Sequence, residues 1–150
     1  MTGILEASVL TSLSLLQQSQ SFGIVSTGKI WESALPDAVH GLLGADSSKK
    51  FVGCETTGLN ADQLHALPAD EVKAKMREAT KRLLKRGQVK GAEVGVGAIC
   101  LGCAGMVGLD DAVRTACVEE LGEELGKRVH IVDGVKAGVV QLFGMARGAF

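Results

Sequence analysis

The chain has 150 residues, 46% of them hydrophobic, and a mean hydropathy of +0.22, which argues against disorder and suffices for one domain with a buried core. Its 16 Lys and Arg against 17 Asp and Glu leave a net charge of −1, and aromatics are only 3% with no Tyr, so the basic, stacking surface of a nucleic-acid binder is lacking. The expected partner is a small molecule or a protein, with no nucleic acid and no membrane.

The first stretch, ILEASVLTSLSLLQQS from Ile4, is apolar on nearly every side and predicts a helix packed against other elements. It is too short and hydroxyl-rich to span a bilayer, and Glu6 interrupts any signal-peptide core. Glu6 itself reads as an acid near a helix N-terminus rather than a ligand. FGIV (Phe22 to Val25) is a short apolar run, as in a strand covered on both faces. ESALPDAVHGLLG predicts a helix with Pro36 in its first turn and Gly44 as its stop. FVGC (Phe51 to Cys54) reads as a second strand.

PADEVKAKMREATKRLLKR is the clearest helix. Val72, Met76, Ala79 and Leu83 fall four, three and four apart, acids open it, Lys85 and Arg86 close it, and Gly87 follows as the expected stop. Its basic half reads as a solvated face. GAICLG predicts the third strand, and DDAVRTACVEELGEEL a helix with Val113, Cys117, Leu121 and Leu125 on one stripe. VHIV (Val129 to Val132) is the fourth strand, and a terminal helix is expected over 137–150. Alternating strands and helices without hairpin signals predict an α/β domain: a four-stranded parallel sheet flanked by helices.

In such a sheet ligands bind beyond the carboxyl ends of the strands. Strand one runs into Ser26, Thr27, Gly28 and Lys29, and strand two into Cys54, Glu55, Thr56 and Thr57. Strand three runs into Cys103, Ala104 and Gly105, and strand four into Asp133 and Gly134. Lys29 suits an acidic ligand and equally a solvated position.

The four cysteines read as reduced thiols of a cytoplasmic protein. Cys117 on a helix stripe and Cys100 inside a strand read as core residues. Cys100 and Cys103, three apart on a strand, point to opposite faces and are badly placed for a disulfide. Zinc has no second CxxC or paired His in support, and the scattered His40, His65 and His130 each read as a surface or packing residue rather than a ligand. The glycines of GAEVGVGAICLG precede their strand, which rules out a dinucleotide fingerprint.

Cys103 stands apart, because backbone N–H groups of Ala104, Gly105 and Met106 are expected to face it or a bound anion before the next helix. Such donors favour thiolate over thiol. From position alone, a catalytic role and a packing role both stand.

AICLGCAGM (Ala98 to Met106) resembles the cysteine motif of the Asp/Glu/hydantoin racemase superfamily. FGIVSTGKIWE (Phe22 to Glu32) is similar to that family's Ser/Thr loop, VHIVDGVKAG to its closing strand, and GILEAS to the segment leading into the second half of such proteins. With ETTGLNADQLH, the chain looks closest to fungal members linked with hydantoin and allantoin metabolism, over almost all of its length. The resemblance implies one half of a two-domain racemase-like fold, in which each domain supplies a thiol to opposite faces of a substrate Cα without cofactor or metal.

Carried over, Cys103 is the second domain's acid/base, Ala104 and Gly105 supply N–H donors, and Ser26 and Thr27 supply hydroxyls. Residues 1–136 then form the racemase-like domain, and 137–150 a terminal helix that packs on a first domain outside this chain, with Phe143 and Met145 exposed in its absence. Cys54 is a weak substitute for the partner thiol. A half that binds a ligand or partner without turnover, and a decarboxylase needing one thiol, are the alternatives. The expected partners are a small-molecule substrate and either a homo-oligomer or that first domain.

Overall fold

The computed structural model describes residues 3–89, 95–106 and 108–149. Four strands form one parallel sheet: β1 (Ser21–Ser26), β2 (Phe51–Thr56), β3 (Val96–Leu101) and β4 (His130–Asp133), in the order β2-β1-β3-β4. All neighbours run parallel, with Val25 beside Glu55 on one flank and Leu101 on the other. β1 to β3 are buried almost throughout, which explains why they read as unbroken apolar runs rather than alternating ones.

Helices cover both faces. α1 (Ile4–Leu15), α2 (Trp31–Ser47) and α7 (Gly134–Gly148) lie on one, where Val9, Phe22, Ile24, Val39, Ala98 and Val132 form a core. α4 (Ala69–Val89) and α5 (Asp110–Leu121) lie on the other, over Val25, Met76, Leu83, Ile99 and Val113. The predicted α4 stripe is buried as expected, with Val72, Met76, Ala79 and Leu83 at most 3% exposed. The four-stranded parallel α/β sheet flanked by helices is therefore the architecture the residue pattern implies.

Several boundaries differ. Pro36 lies inside α2 beyond its first turn, and Gly44 takes φ +73 within the span rather than after it. Gly87 is not a stop: α4 runs through it to Val89, and a side chain there would collide with Val96 of β3. The stripe through Leu125 breaks because Gly122, at φ +83, ends α5 and starts a separate α6 (Glu123–Arg128), which leaves Leu125 55% exposed. α7 begins three residues before Ala137, since the Asp133 carboxylate accepts from the amides of Val135 and Lys136 and caps it. A further short helix, α3 (Ala61–Ala66), lacks an apolar stripe of its own and starts at a capping box in which the Gln63 carboxamide accepts from the Asn60 amide.

On α7, Phe143 is 62% and Met145 43% exposed, while Gly134 and Ala137 are buried against α1. Phe150, the last residue of the expected terminal helix, and residues 91–94 of the rejected glycine fingerprint lie outside the described residues.

Candidate functional site

In an open parallel sheet the strand order sets where a ligand crevice is expected. β1 connects to β2 on one side, whereas the chain leaving β2 crosses back to β3 on the other. The carboxyl ends of β1 and β3 are thus the topological switch point of the sheet. Ser26 and Thr27 leave β1 there, and Cys103 leaves β3.

The floor of this region is held by backbone. The Gly102 amide donates to Val25 O at 2.8 Å and extends the β1–β3 ladder one step past the strands. The loop after β2 then closes on the loop after β1. Thr57 N donates to Ser26 O and Gly58 N to Thr27 O, both at 3.0 Å, and the Thr57 hydroxyl donates to Thr27 O at 3.3 Å. Ser26 is fully buried, and its Oγ has no hydrogen-bond partner among the described residues. A Cβ on Gly102 would come within 2.9 Å of Ser26 Cβ and 3.0 Å of its Oγ. Only glycine lets β3 leave the sheet beside that serine.

Cys103 opens a single 3₁₀ turn, Ala104–Met106, seated by the fully buried Met106. The thiol is half-buried and rests partly against the α4/α5 core. A Cβ on Gly105 would sit 3.7 Å from Cys103 Sγ and 3.6 Å from Leu64 of α3, so position 105 borders the sulfur directly. One expectation is corrected. The Met106 amide does not face a ligand, because it donates to Cys103 O at 3.0 Å and closes the turn.

The other thiols are core residues. Cys54 is 1% exposed on the α1/α2 face, and burial, followed by the nearby Glu32 and Glu55 carboxylates, pushes its pKa up to about 12 against the opposing Arg86. Burial raises Cys100 to about 12, with a 3.0 Å contact to Ser12 Oγ pulling the other way. Burial raises Cys117 to about 11. Cys100 and Cys103 belong to opposite faces of the sheet, as their spacing implied.

Of the remaining candidates, Lys29 is exposed at the start of the β1–α2 turn. A side chain at Gly3 would meet the Glu6 carboxylate, so Glu6 folds back over its own helix N-terminus. Glu55 is turned away from the switch point. Arg82 Nε reaches its Oε2 at 2.8 Å and Arg86 Nη2 its Oε1 at 2.5 Å. The basic end of α4 stays about half exposed, with Arg82 and Arg86 also clamping Glu55. Among the described residues no group of three or more His, Cys, Asp or Glu is placed to hold a metal ion, and no helix is long and apolar enough to cross a membrane.

Comparison with known proteins places this geometry in a family. Residues 1–142 match the family Asp/Glu/Hydantoin racemase. Two uncharacterized Schizosaccharomyces pombe proteins are 36% identical over 146 residues and 30% identical over 145, each match covering 97% of this chain and 53% of the relative. The chain therefore spans about half the length of these relatives. The crystal structure of an allantoin racemase from Pseudomonas fluorescens superposes with a TM-score of 0.71 at 23% identity, over 98% of this chain and 52% of that one, and so shares its fold. With its family match running almost from end to end, the chain belongs to the Asp/Glu/hydantoin racemase family.

Proposed function

We propose that this chain supplies one acid/base face of a cofactor-independent racemase, with Cys103 moving the proton at the Cα of a hydantoin-like or amino-acid substrate. One observation carries the reading: Cys103, the half-buried thiol, leaves the sheet at the same switch point as Ser26, whose buried hydroxyl has no partner among the described residues. In this reading the enclosed hydroxyl gains its partner when the side chain turns toward a ligand oxygen at the strand end. The amides of Ala104 and Gly105 and the hydroxyl of Thr27 complete a donor set for a carboxylate or ring carbonyl. A proton next to a carbonyl is a weak acid, so fixed donors toward the developing enolate lower the barrier more than a stronger base would.

Removal and return of a proton on opposite faces requires two groups. Cys54, Cys100 and Cys117 are core thiols held protonated, and none serves as the second. In this reading the opposing group comes from a first domain outside these 150 residues. Residues 1–136 form the acid/base domain, and the helix of 137–150 packs on that other domain through its exposed Val139, Val140, Leu142 and Phe143. Cytoplasmic nitrogen metabolism is the setting the resemblance suggests.

The single accessible thiol also favours a second reading, in which a malonate loses CO2 and Cys103 protonates the resulting enediolate on one face. The test incubates the chain with single enantiomers of allantoin, a substituted hydantoin and aspartate in D2O, with and without the upstream half of a relative. Deuterium uptake at Cα that disappears in Cys103→Ser supports the racemase reading. Uptake unchanged in that variant sinks it, and CO2 release from a disubstituted malonate without racemisation selects the second.

A further inference from the structure

The two edges of the sheet are finished differently. Along β2, Arg82 Nη2 donates to Thr56 O at 2.7 Å and Arg86 Nη1 to Cys54 O at 3.4 Å, so side chains cover outward carbonyls of that strand. Capping of this kind protects an edge from further pairing. β4 has β3 as its one neighbour, through the register Ala98–His130 to Leu101–Asp133. Alternate backbone groups of β4 therefore face outward. Among the described residues no side chain caps them.

A groove follows this open edge. Its cavity of about 450 Å³ lies between Leu101, Ile131, Val140 and the acids Asp110, Asp111 and Asp133. Past Arg114 and Ile131 it continues toward Lys127, Arg128 and His130. The two ends differ in sign. At the carboxyl end Asp133 is partly neutralised by Lys136, and Arg114 is held on Gly126 O, so that among the described residues no ion pair reaches Asp110 or Asp111. At the amino end Lys127 and Arg128 lean on Glu123 and Glu124 through i,i+4 pairs whose side chains are 63–80% exposed. Exposed pairs of that kind exchange partners at little cost.

We infer that β4 pairs antiparallel with β4 of a second copy of this chain, about a two-fold axis normal to the sheet. That axis keeps each helical layer on its own side and joins the two sheets edge to edge. Ile131 then stands opposite Val132 of the second copy, and His130 opposite its Asp133. The N-terminus of α5, with Asp110 and Asp111, meets the C-terminus of α6 of the second copy, with Lys127 and Arg128, and the reciprocal contact forms at the other end. The groove is thus complementary to itself under the symmetry commonest in homo-oligomers. The occupant this arrangement selects is a second copy, because an unrelated strand has no reason to carry the matching ends.

The test is the mass of the 150-residue chain by sedimentation equilibrium over a range of concentrations. A reversible dimer is expected. Asp110→Lys with Asp111→Lys, and separately Lys127→Glu with Arg128→Glu, each set like charges against each other at both contacts and weaken association roughly a hundredfold. Mixing the two folded variants restores pairing, because each end then meets its opposite. A monomeric wild type overturns the proposal, which leaves the edge for another strand. So does a dimer that survives both reversals, which assigns association to the apolar face of α7, and so does a mixture of folded variants that stays monomeric.

Discussion

The carboxyl ends of β2 and β3 each carry a thiol, and the fold treats the two oppositely. Cys54 remains within its strand, 1% exposed among Phe22, Ile24 and Phe51, and is held protonated to about pH 12. Cys103 comes two residues after its strand, in a tight turn beside the switch point, and is half-buried. Strand membership separates a core sulfur from an accessible one. Nearness to the same edge of the sheet does not make a residue part of the site.

The largest expected contrast is catalytic. Cys103→Ser is expected to lower Cα proton exchange by about 10²- to 10⁴-fold, whereas Cys54→Ser leaves it within a small factor, as followed by NMR in D2O. Equal losses in both variants would erase the distinction.

Chemical labelling sharpens it next. At pH 8 in the native state iodoacetamide is expected to modify Cys103 alone, and all four cysteines react after denaturation, as read by peptide mass spectrometry. The same burial has a pH consequence. An unfolded thiol ionises near 9, while Cys54, Cys100 and Cys117 hold their protons to about 12, 12 and 11. Above pH 9 the unfolded chain binds fewer protons than the native one. Stability is therefore complete below about pH 9 and falls as pH rises through 11 to 12, with a midpoint visible by circular dichroism.

Smaller effects probe the frame around Cys103. Gly102→Ala drives a methyl group into Ser26 and Ile24 and is expected to cost about 1–3 kcal/mol in denaturant melts. Thr57→Val removes the hydroxyl that donates to Thr27 O and accepts from Leu59 N, for about 1 kcal/mol, and raises KM more than it lowers kcat if that loop positions substrate.

Much of the scaffold was legible because it rests on local patterns. Unbroken apolar runs mark strands covered on both faces, and the Val72–Leu83 spacing with acids first and bases last marks α4. Features decided by a tertiary contact or by one backbone angle were not legible. Gly87 looks like a stop until Val96 is seen against it, and Leu125 looks buried until Gly122 turns the chain. Signals for α3 and for the early start of α7 were present, in the Asn60–Gln63 box and in Asp133 as a cap, but each is short. At the candidate site, the cysteine motif and the strand-end rule point to Cys103, Ser26 and Thr27. The closure of the Met106 amide on Cys103 O and the unpartnered state of Ser26 depend on how β1 and β3 adjoin. The Glu55 clamp had a trace in the sequence, since Arg82 and Arg86 lie four apart on one helix face, but its carboxylate lies 27 residues before Arg82, outside any pattern that α4 alone displays.

The burial of three thiols out of four also shapes how this protein ages. An oxidant reaches Cys103 first and converts it to a sulfenic acid. Rescue within the chain would need a nearby thiolate, and the other three sulfurs are protonated and enclosed. Without an external reductant, oxidation there advances to sulfinic acid, a step the three enclosed thiols are spared.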